Sequence, residues 1–180
     1  VIETPVKRVK VPEYMRLREV ESNDHEWLVE LHNDPNVLRN MTHPQPITLS
    51  SHMAWWERVS RDPKQLRLIY EINGARVGFA KFYDIDNDNN SCVLGADIHK
   101  DFRGQGYAKP LWTLMLQKCF NELELNRVSL TTAEYNTIGQ HVYRSLGFKE
   151  EGRLISSLYR DGRYWDQICM YMLCSDWSYQ

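Results

Sequence analysis

A chain of 180 residues, 42% apolar and 26% charged, has ordinary globular composition and enough length for one domain with a real core. Its 22 Lys and Arg against 24 Asp and Glu leave a formal net charge of −2; with no Lys/Arg run, that balance argues against non-specific nucleic-acid binding. No apolar run approaches the roughly 20 residues that span a membrane, and Cys92, Cys119, Cys169 and Cys174 sit mostly in apolar stretches without C-x-x-C spacing, the pattern of reduced core thiols in a cytoplasmic compartment.

Residues 1–14 read as a lead-in with Pro5 and Pro12. Lys7, Arg8 and Lys10 have no apolar block behind them, so this segment is not a secretory signal. The start at Val1 rather than Met fits a processed form or a piece of a longer multidomain chain. Met15 to Val20 is a first strand. Asn23 or Asp24 caps a helix to about His32, ended by Asn33-Asp34-Pro35, and a loop with Pro44 and Pro46 follows. Ser50 or Ser51 opens a second helix through Val59, on which Trp55 and Trp56 cannot both face one way. Leu66 to Ile72 and Arg76 to Tyr83 flank Asn73-Gly74, a strong hairpin signal. Asp84 to Asn90 is a polar turn, Ser91 to His99 a fourth strand, Ala108 to Phe120 a third helix and Val128 to Thr132 a fifth strand. Asn136 caps a fourth helix reaching Leu146, with Gly147 at its end. Phe148 to Leu158 and Tyr164 to Leu173 form a last hairpin around Asp161-Gly162. The order β-α-α-β-β-β-α-β-α-β-β predicts an α/β (α+β) domain over residues 15–174, a mixed sheet with helices on its faces, and a tail at 175–180.

Arg103-Gly104-Gln105-Gly106-Tyr107-Ala108 joins the fourth strand to the third helix. Two glycines let the backbone pass close to a ligand, and the helix behind them aims unpaired N–H groups and a positive dipole end at it. Such a turn suits phosphates. Lys109 occupies the place where a dinucleotide fingerprint needs a small residue, and the Gly-Lys-Ser/Thr of a P-loop is absent. His25-Glu26 does not begin a zinc-protease helix, because Val29 stands where the second His belongs, and Asp84, Asp86 and Asp88 lack the glycine and closing glutamate of an EF-hand. No metal site is expected.

Arg103-x-x-Gly106-x-Ala108, followed by Asn136-x-x-Gly139-x-x-x-Tyr143-x-x-x-Gly147-Phe148, resembles the two signature motifs of the GNAT acetyltransferase superfamily over about Met15 to Leu173. The resemblance implies a mostly antiparallel sheet of about seven strands splayed between the fourth and fifth, with about four helices. It implies acetyl-coenzyme A as co-substrate, with its pyrophosphate on the backbone amides of Arg103, Gly104, Gln105, Gly106, Tyr107 and Ala108. The pantetheine arm would lie in the splay, pairing with backbone from Ala96 to Ile98, and the Ile98 N–H would polarise the thioester carbonyl. Asn136, with Gly139 in the same turn, would contact the pantetheine, and Tyr143 would donate to the departing sulfur. The chemistry asks for such parts: an alkylamine with pKa about 10 must lose a proton before attack, and a thiolate with reference pKa about 8.5 leaves more readily beside a donor.

Two carboxylates found in relatives are missing, since Val93 and Thr131 stand at their positions. Asp97 beside the thioester and His52 on the second helix are the candidate bases, with Glu134 as a further carboxylate near the cleft. Leu31-His32-Asn33-Asp34-Pro35 and Ile47-Thr48-x-x-x-His52 resemble enzymes that acetylate nucleotide-linked amino sugars. Asn33, His52, Trp56, Tyr83 and Glu134 are therefore the expected acceptor contacts, and Trp55, Trp56, Tyr83 and Tyr135 could stack on a sugar or base, with at least two of the four expected in packing. The expected activity is N-acetylation of such an amino sugar, with a ribosomal-protein N-terminus or a polyamine as alternative acceptors and a non-catalytic acyl-coenzyme A module as the other class. The partners expected are a small-molecule amine and a homodimer mate, with no nucleic acid and no membrane.

Overall fold

The computed structural model describes residues 14–177; the first thirteen residues of the expected lead-in and the last three of the tail lie outside them. Seven strands form one sheet in the order β1-β2-β3-β4-β5-β7-β6: β1 Met15–Glu19, β2 Leu66–Ile72, β3 Ala75–Asp86, β4 Ser91–Ile98, β5 Arg127–Ala133, β6 Lys149–Arg160 and β7 Arg163–Leu173. All neighbours are antiparallel except β4 and β5. That parallel pair holds for only three registers, Ser91↔Arg127 to Val93↔Ser129. Beyond Val93 the two strands diverge, although β4 runs on to Ile98 and β5 to Ala133.

One face of the sheet carries α4 (Ala108–Gln117) and α5 (Thr137–Leu146) over the main core, which includes Tyr70, Phe82, Leu111, Trp112, Met115 and Met170. The other face carries α1 (His25–Asn33) and α2 (Pro35–Asn40) over Leu28, Leu31, Val37, Ile69 and Phe79; α3 (Leu49–Val59) follows them in the chain. Three helix boundaries depart from expectation, one of them the opening of α3 at Thr48 rather than at Ser50 or Ser51. The Asn33-Asp34-Pro35 stop does end α1, but the same residues start α2: Asp34 accepts from Asn36 N at 3.0 Å and Val37 N at 3.2 Å, and Pro35 takes the first helical position. The third predicted helix stops at Gln117 and finishes in a π-helical turn, Lys118–Glu122. α3 is capped by Thr48, whose hydroxyl accepts from Ser51 N at 3.2 Å, and Asn136 caps α5 as expected, accepting from Gly139 N at 3.1 Å. All four cysteines are free; Cys92 and Cys119 are buried, whereas Cys174 is exposed, so only part of the expected set belongs to the core.

Candidate active site

The divergence of β4 and β5 leaves main-chain groups without a sheet partner. His99 N–H bonds to Val77 O at 2.9 Å. In an antiparallel ladder alternate residues turn their amides to the same neighbour, so odd-numbered residues of β4 serve β3. Ala96 and Ile98, beyond the last register with β5, therefore face the gap. The Ile98 carbonyl is already taken by Arg103 Nε at 2.9 Å, which leaves its N–H free to donate into the gap, along with the amide of Ala96.

At the end of β4 the turn reaches α4 through Gly104 (φ +74°) and Gly106 (φ +84°), both left-handed, and a Cβ added at either would meet nothing within 4 Å. This is a shallow backbone cradle that side chains would fill and strain. No side chain caps α4, and although Pro110 brings no N–H, the amides of Ala108 and Lys109 in its first turn are available to an anion. The Arg103 side chain is not: its guanidinium folds back onto Ile98 O and pairs with Asp34 Oδ1 at 2.8 Å. Burial works against the Asp34 carboxylate, but Arg103 and the first amides of α2 outweigh it and hold its pKa below the usual range. The loop thus presents backbone, with its arginine used as a strut to α2. The donor set fits a diphosphate bound by main-chain N–H groups.

Tyr143 lies on α5 with its ring 4.8 Å from Trp112 and 6.1 Å from Phe148, edge-on to both. The end of α5 fixes this arrangement: Gly147 at φ +102° turns the chain, and Phe148 N bonds to Tyr143 O at 3.0 Å. Burial, with the nearby Asp97 charge adding to it, pushes the phenol up to about 12. Asn136 spends its amide on the fold, donating to Thr132 Oγ1 at 3.0 Å while capping α5. Gly139 is required by that cap, because a Cβ there would lie 2.5 Å from Asn136 Nδ2. Asn136 and Gly139 thus fix the start of the helix that carries Tyr143, with one Asn136 Nδ2 proton left over at the cavity wall.

A cavity of about 750 Å³ opens at the splay and extends under α1 and α3. Tyr143, Asn136, Ala96 and Asp97 line it, together with His52, Trp55, Tyr83, Lys81 and Arg67. Asp97 is held by Lys81 Nζ at 2.6 Å. Burial opposes the Lys81 charge, yet Asp97 and Tyr83 more than offset it and its pKa is raised. His52 is buried, with Nε2 3.1 Å from His25 Nδ1; burial, then His25, pushes its pKa down to about 4. Such an imidazole stays neutral at physiological pH.

Three expected acceptor contacts sit elsewhere. Asn33 clasps the segment before α3, donating to Ile47 O and accepting from Ile47 N, both at 2.8 Å. Trp56 packs edge-on against His25 at 5.4 Å, away from the cavity lining. Glu134 is exposed and its nearest cation is Arg153 at 3.6 Å. Of the four candidate stacking aromatics, Trp55 and Tyr83 reach the cavity; Tyr135 packs on Trp165 at 5.1 Å and donates to Arg39 O at 2.6 Å. Sequence reasoning missed Arg67, Lys81, His32 and the 41–43 segment of the wall. That segment is held by Arg160 from the β6–β7 hairpin, through Met41 O and Thr42 O, a contact across about two-thirds of the chain that no local pattern announces. Arg67 and Lys81 carry a signal in retrospect, as charges flanked on both sides by apolar residues, Leu66 and Leu68 in one strand and Ala80 and Phe82 in the other.

The acetyltransferase (GNAT) domain family matches residues 15–149 of the chain. The L-amino acid N-acetyltransferase AaaT of Escherichia coli is 30% identical over 157 residues, 86% of this chain and 94% of that protein. The spermidine N(1)-acetyltransferase of the same species is 24% identical over 156 residues, 87% and 84% of the two chains. Among solved structures, a spermidine N-acetyltransferase from Vibrio cholerae, in complex with CoA and spermine, superposes with a TM-score of 0.86 over 92% of this chain and 98% of that one, at 24% identity. None of these three is named for an amino-sugar acceptor. The parted strands, the backbone cradle and the family match agree: the chain belongs to the GNAT acetyltransferase family and is an N-acetyltransferase that uses acetyl-coenzyme A.

Proposed function

We propose that the chain acetylates a small-molecule primary amine by direct transfer inside this cavity, with Tyr143 as general acid. Tyr143 carries the reading: a half-buried phenol, raised to about 12, that keeps its proton at any physiological pH and lines the cavity where the strands part. Acetyl-coenzyme A supplies the activated thioester. The Arg103 N–H is spent on Lys100 O at 3.4 Å, so the amides from Gly104 to Ala108 and of the first turn of α4 bind its diphosphate, and the Ile98 N–H polarises the carbonyl. Tyr143 gives its proton to the departing thiolate. The incoming amine is an ammonium with pKa about 10 and must shed a proton first. Asp97, fixed by Lys81 at 2.6 Å, takes it, while the neutral His52 accepts a hydrogen bond that orients the amine.

The volume of about 750 Å³ suits a small acceptor. A nucleotide-linked amino sugar is the weaker reading, because Trp56 and Tyr135 are committed to packing and Arg67 covers Tyr83 at 4.2 Å, leaving Trp55 alone to stack. The test offers acetyl-coenzyme A with a panel of amines, follows thiol release with a chromogenic disulfide and identifies products by mass spectrometry. Acetylated amine with stoichiometric thiol is the expected result. Thermal stabilisation by acetyl-coenzyme A with no amine-dependent thiol release would overturn the proposal.

A further inference from the structure

Arg67 enters the cavity from β2 as a guanidinium that no carboxylate answers. Only 6% of it is exposed. Its Nη1 donates to Leu66 O at 3.0 Å and Phe82 O at 2.5 Å, and Nη2 to Gln65 Oε1 at 2.5 Å, all neutral acceptors. Its Nε is buried with no partner among the described residues. Burying a charge with neutral partners alone is costly, and burial accordingly pushes the Arg67 pKa down; Asp62 and Asp84 oppose this only at range.

The surroundings sharpen the imbalance. Register places Arg67 directly opposite Lys81, and like charges across a strand pair repel. Lys81 is neutralised by Asp97 at 2.6 Å; Arg67 has no counterpart. The Tyr83 ring lies 4.2 Å from the guanidinium carbon and the Trp55 ring 6.0 Å, so the group is held in one orientation at the cavity wall. With three of its five N–H groups spent on neutral acceptors, this fixed, uncompensated guanidinium keeps the Nε–H and one Nη2–H as the donors that an oxyanion matches.

We infer that Arg67 receives an anionic group, a carboxylate or a phosphate, at the end of the acceptor remote from its amine. The inference rests on the transfer reading above and adds the class of acceptor. β3 separates β2 from β4, so two strand spacings, roughly 10 Å, lie between Arg67 and the strand that carries Asp97. The acceptor therefore carries amine and anion at opposite ends, as an ω-amino acid, a short peptide or an aminoalkyl phosphate does. A linear polyamine, cationic throughout, would meet Arg67 with the wrong charge.

The experiment measures kcat/KM for matched pairs differing only in the anion: aminocaproate against hexylamine, and aminobutyl phosphate against aminobutanol, with spermidine alongside. An anionic acceptor exceeds its neutral partner by about 10–100-fold, the range of a charge-assisted hydrogen bond, and whichever pair shows the larger ratio separates carboxylate from phosphate. Arg67→Gln removes the preference and leaves the KM for acetyl-coenzyme A unchanged; Arg67→Lys, which keeps the charge without the fork, retains part of it and serves if the glutamine variant fails to fold. Neutral amines or spermidine used as well as the anionic partners, or a preference surviving in Arg67→Gln, would overturn the inference while leaving the transfer reading intact. If no amine is acetylated, the transfer reading falls and calorimetry decides Arg67 separately: acetate or inorganic phosphate binds CoA-saturated wild-type protein and not Arg67→Gln, whereas no binding to either sinks the assignment.

Discussion

Gly78→Ala is expected to disable the site from the neighbouring strand. Gly78 faces Ile98 across the β3–β4 ladder. A Cβ at position 78 would lie 2.6 Å from Asp97 O and 3.1 Å from Ile98 Cδ1, where ordinary contact begins at 3.4 Å. The shortfall against Asp97 O is 3.4 − 2.6 = 0.8 Å, and the obstructing atom is backbone, so β4 itself must move. The residues displaced are Asp97 and Ile98, the proposed proton acceptor and the amide that polarises the carbonyl. Overpacking of this kind costs about 1–3 kcal/mol, which for a domain of this size lowers Tm by about 3–10 °C. A shift near 1 Å at reacting groups costs up to about 100-fold in rate. Scanning calorimetry and steady-state thiol release should therefore show a lower Tm and a kcat reduced about 10–100-fold. Gly74→Ala is the comparison: its φ of +80° strains any side chain, but nothing lies within 4 Å and its turn is remote from the gap, so it loses stability and keeps kcat. Wild-type turnover in Gly78→Ala, or a loss no greater than in Gly74→Ala, would refute the steric argument.

Tyr143→Phe should lower kcat by about 100- to 10,000-fold, the span of general acid catalysis, with the acetyl-coenzyme A Kd from calorimetry unchanged; equal losses in both would reduce Tyr143 to a packing residue. Asp97→Asn should lower kcat by about 100- to 10,000-fold, the span of general base catalysis, and wild-type kcat in that variant would remove Asp97 as the proton acceptor. Gly106→Val places a branched residue at φ +84° in the cradle, and acetyl-coenzyme A binding should be lost while far-ultraviolet circular dichroism is retained. The His52 imidazole falls from 6.5 to about 4 on folding, so the unfolded chain binds more protons between those values and stability rises with pH across that window. The contribution is complete above about pH 6.5 and on the order of 3 kcal/mol is lost toward pH 4; in urea titrations at both pH values, His52→Gln should lose correspondingly less than wild type.

Local signals carried the elements because each depends on residues adjacent in the chain. Asn73-Gly74 and Asp161-Gly162 take left-handed turn geometry, Gly147 stops α5 and Asn136 starts it. The α2 helix escaped notice because Asp34-Pro35 is as good a helix start as a helix stop. The motif spacing located the cradle and Tyr143, and the glycines at 104 and 106 named themselves as backbone positions. The acceptor side was harder. Asn33, Trp56 and Glu134 have the right chemistry in the right segments, and their directions were decided by partners distant in sequence, Ile47, His25 and Arg153.

What the sequence by itself determined is the order of elements and the glycine turn that the proposed cofactor site uses, because turns, caps and a glycine cradle are made by residues within one another's reach along the chain. Tertiary structure alone decided the acceptor half. Lys81 answers Asp97 and leaves Arg67 without a carboxylate only because β2, β3 and β4 bring residues 67, 81 and 97 onto one face of the sheet. Charge compensation is a property of distances in space, and no spacing in the chain records it.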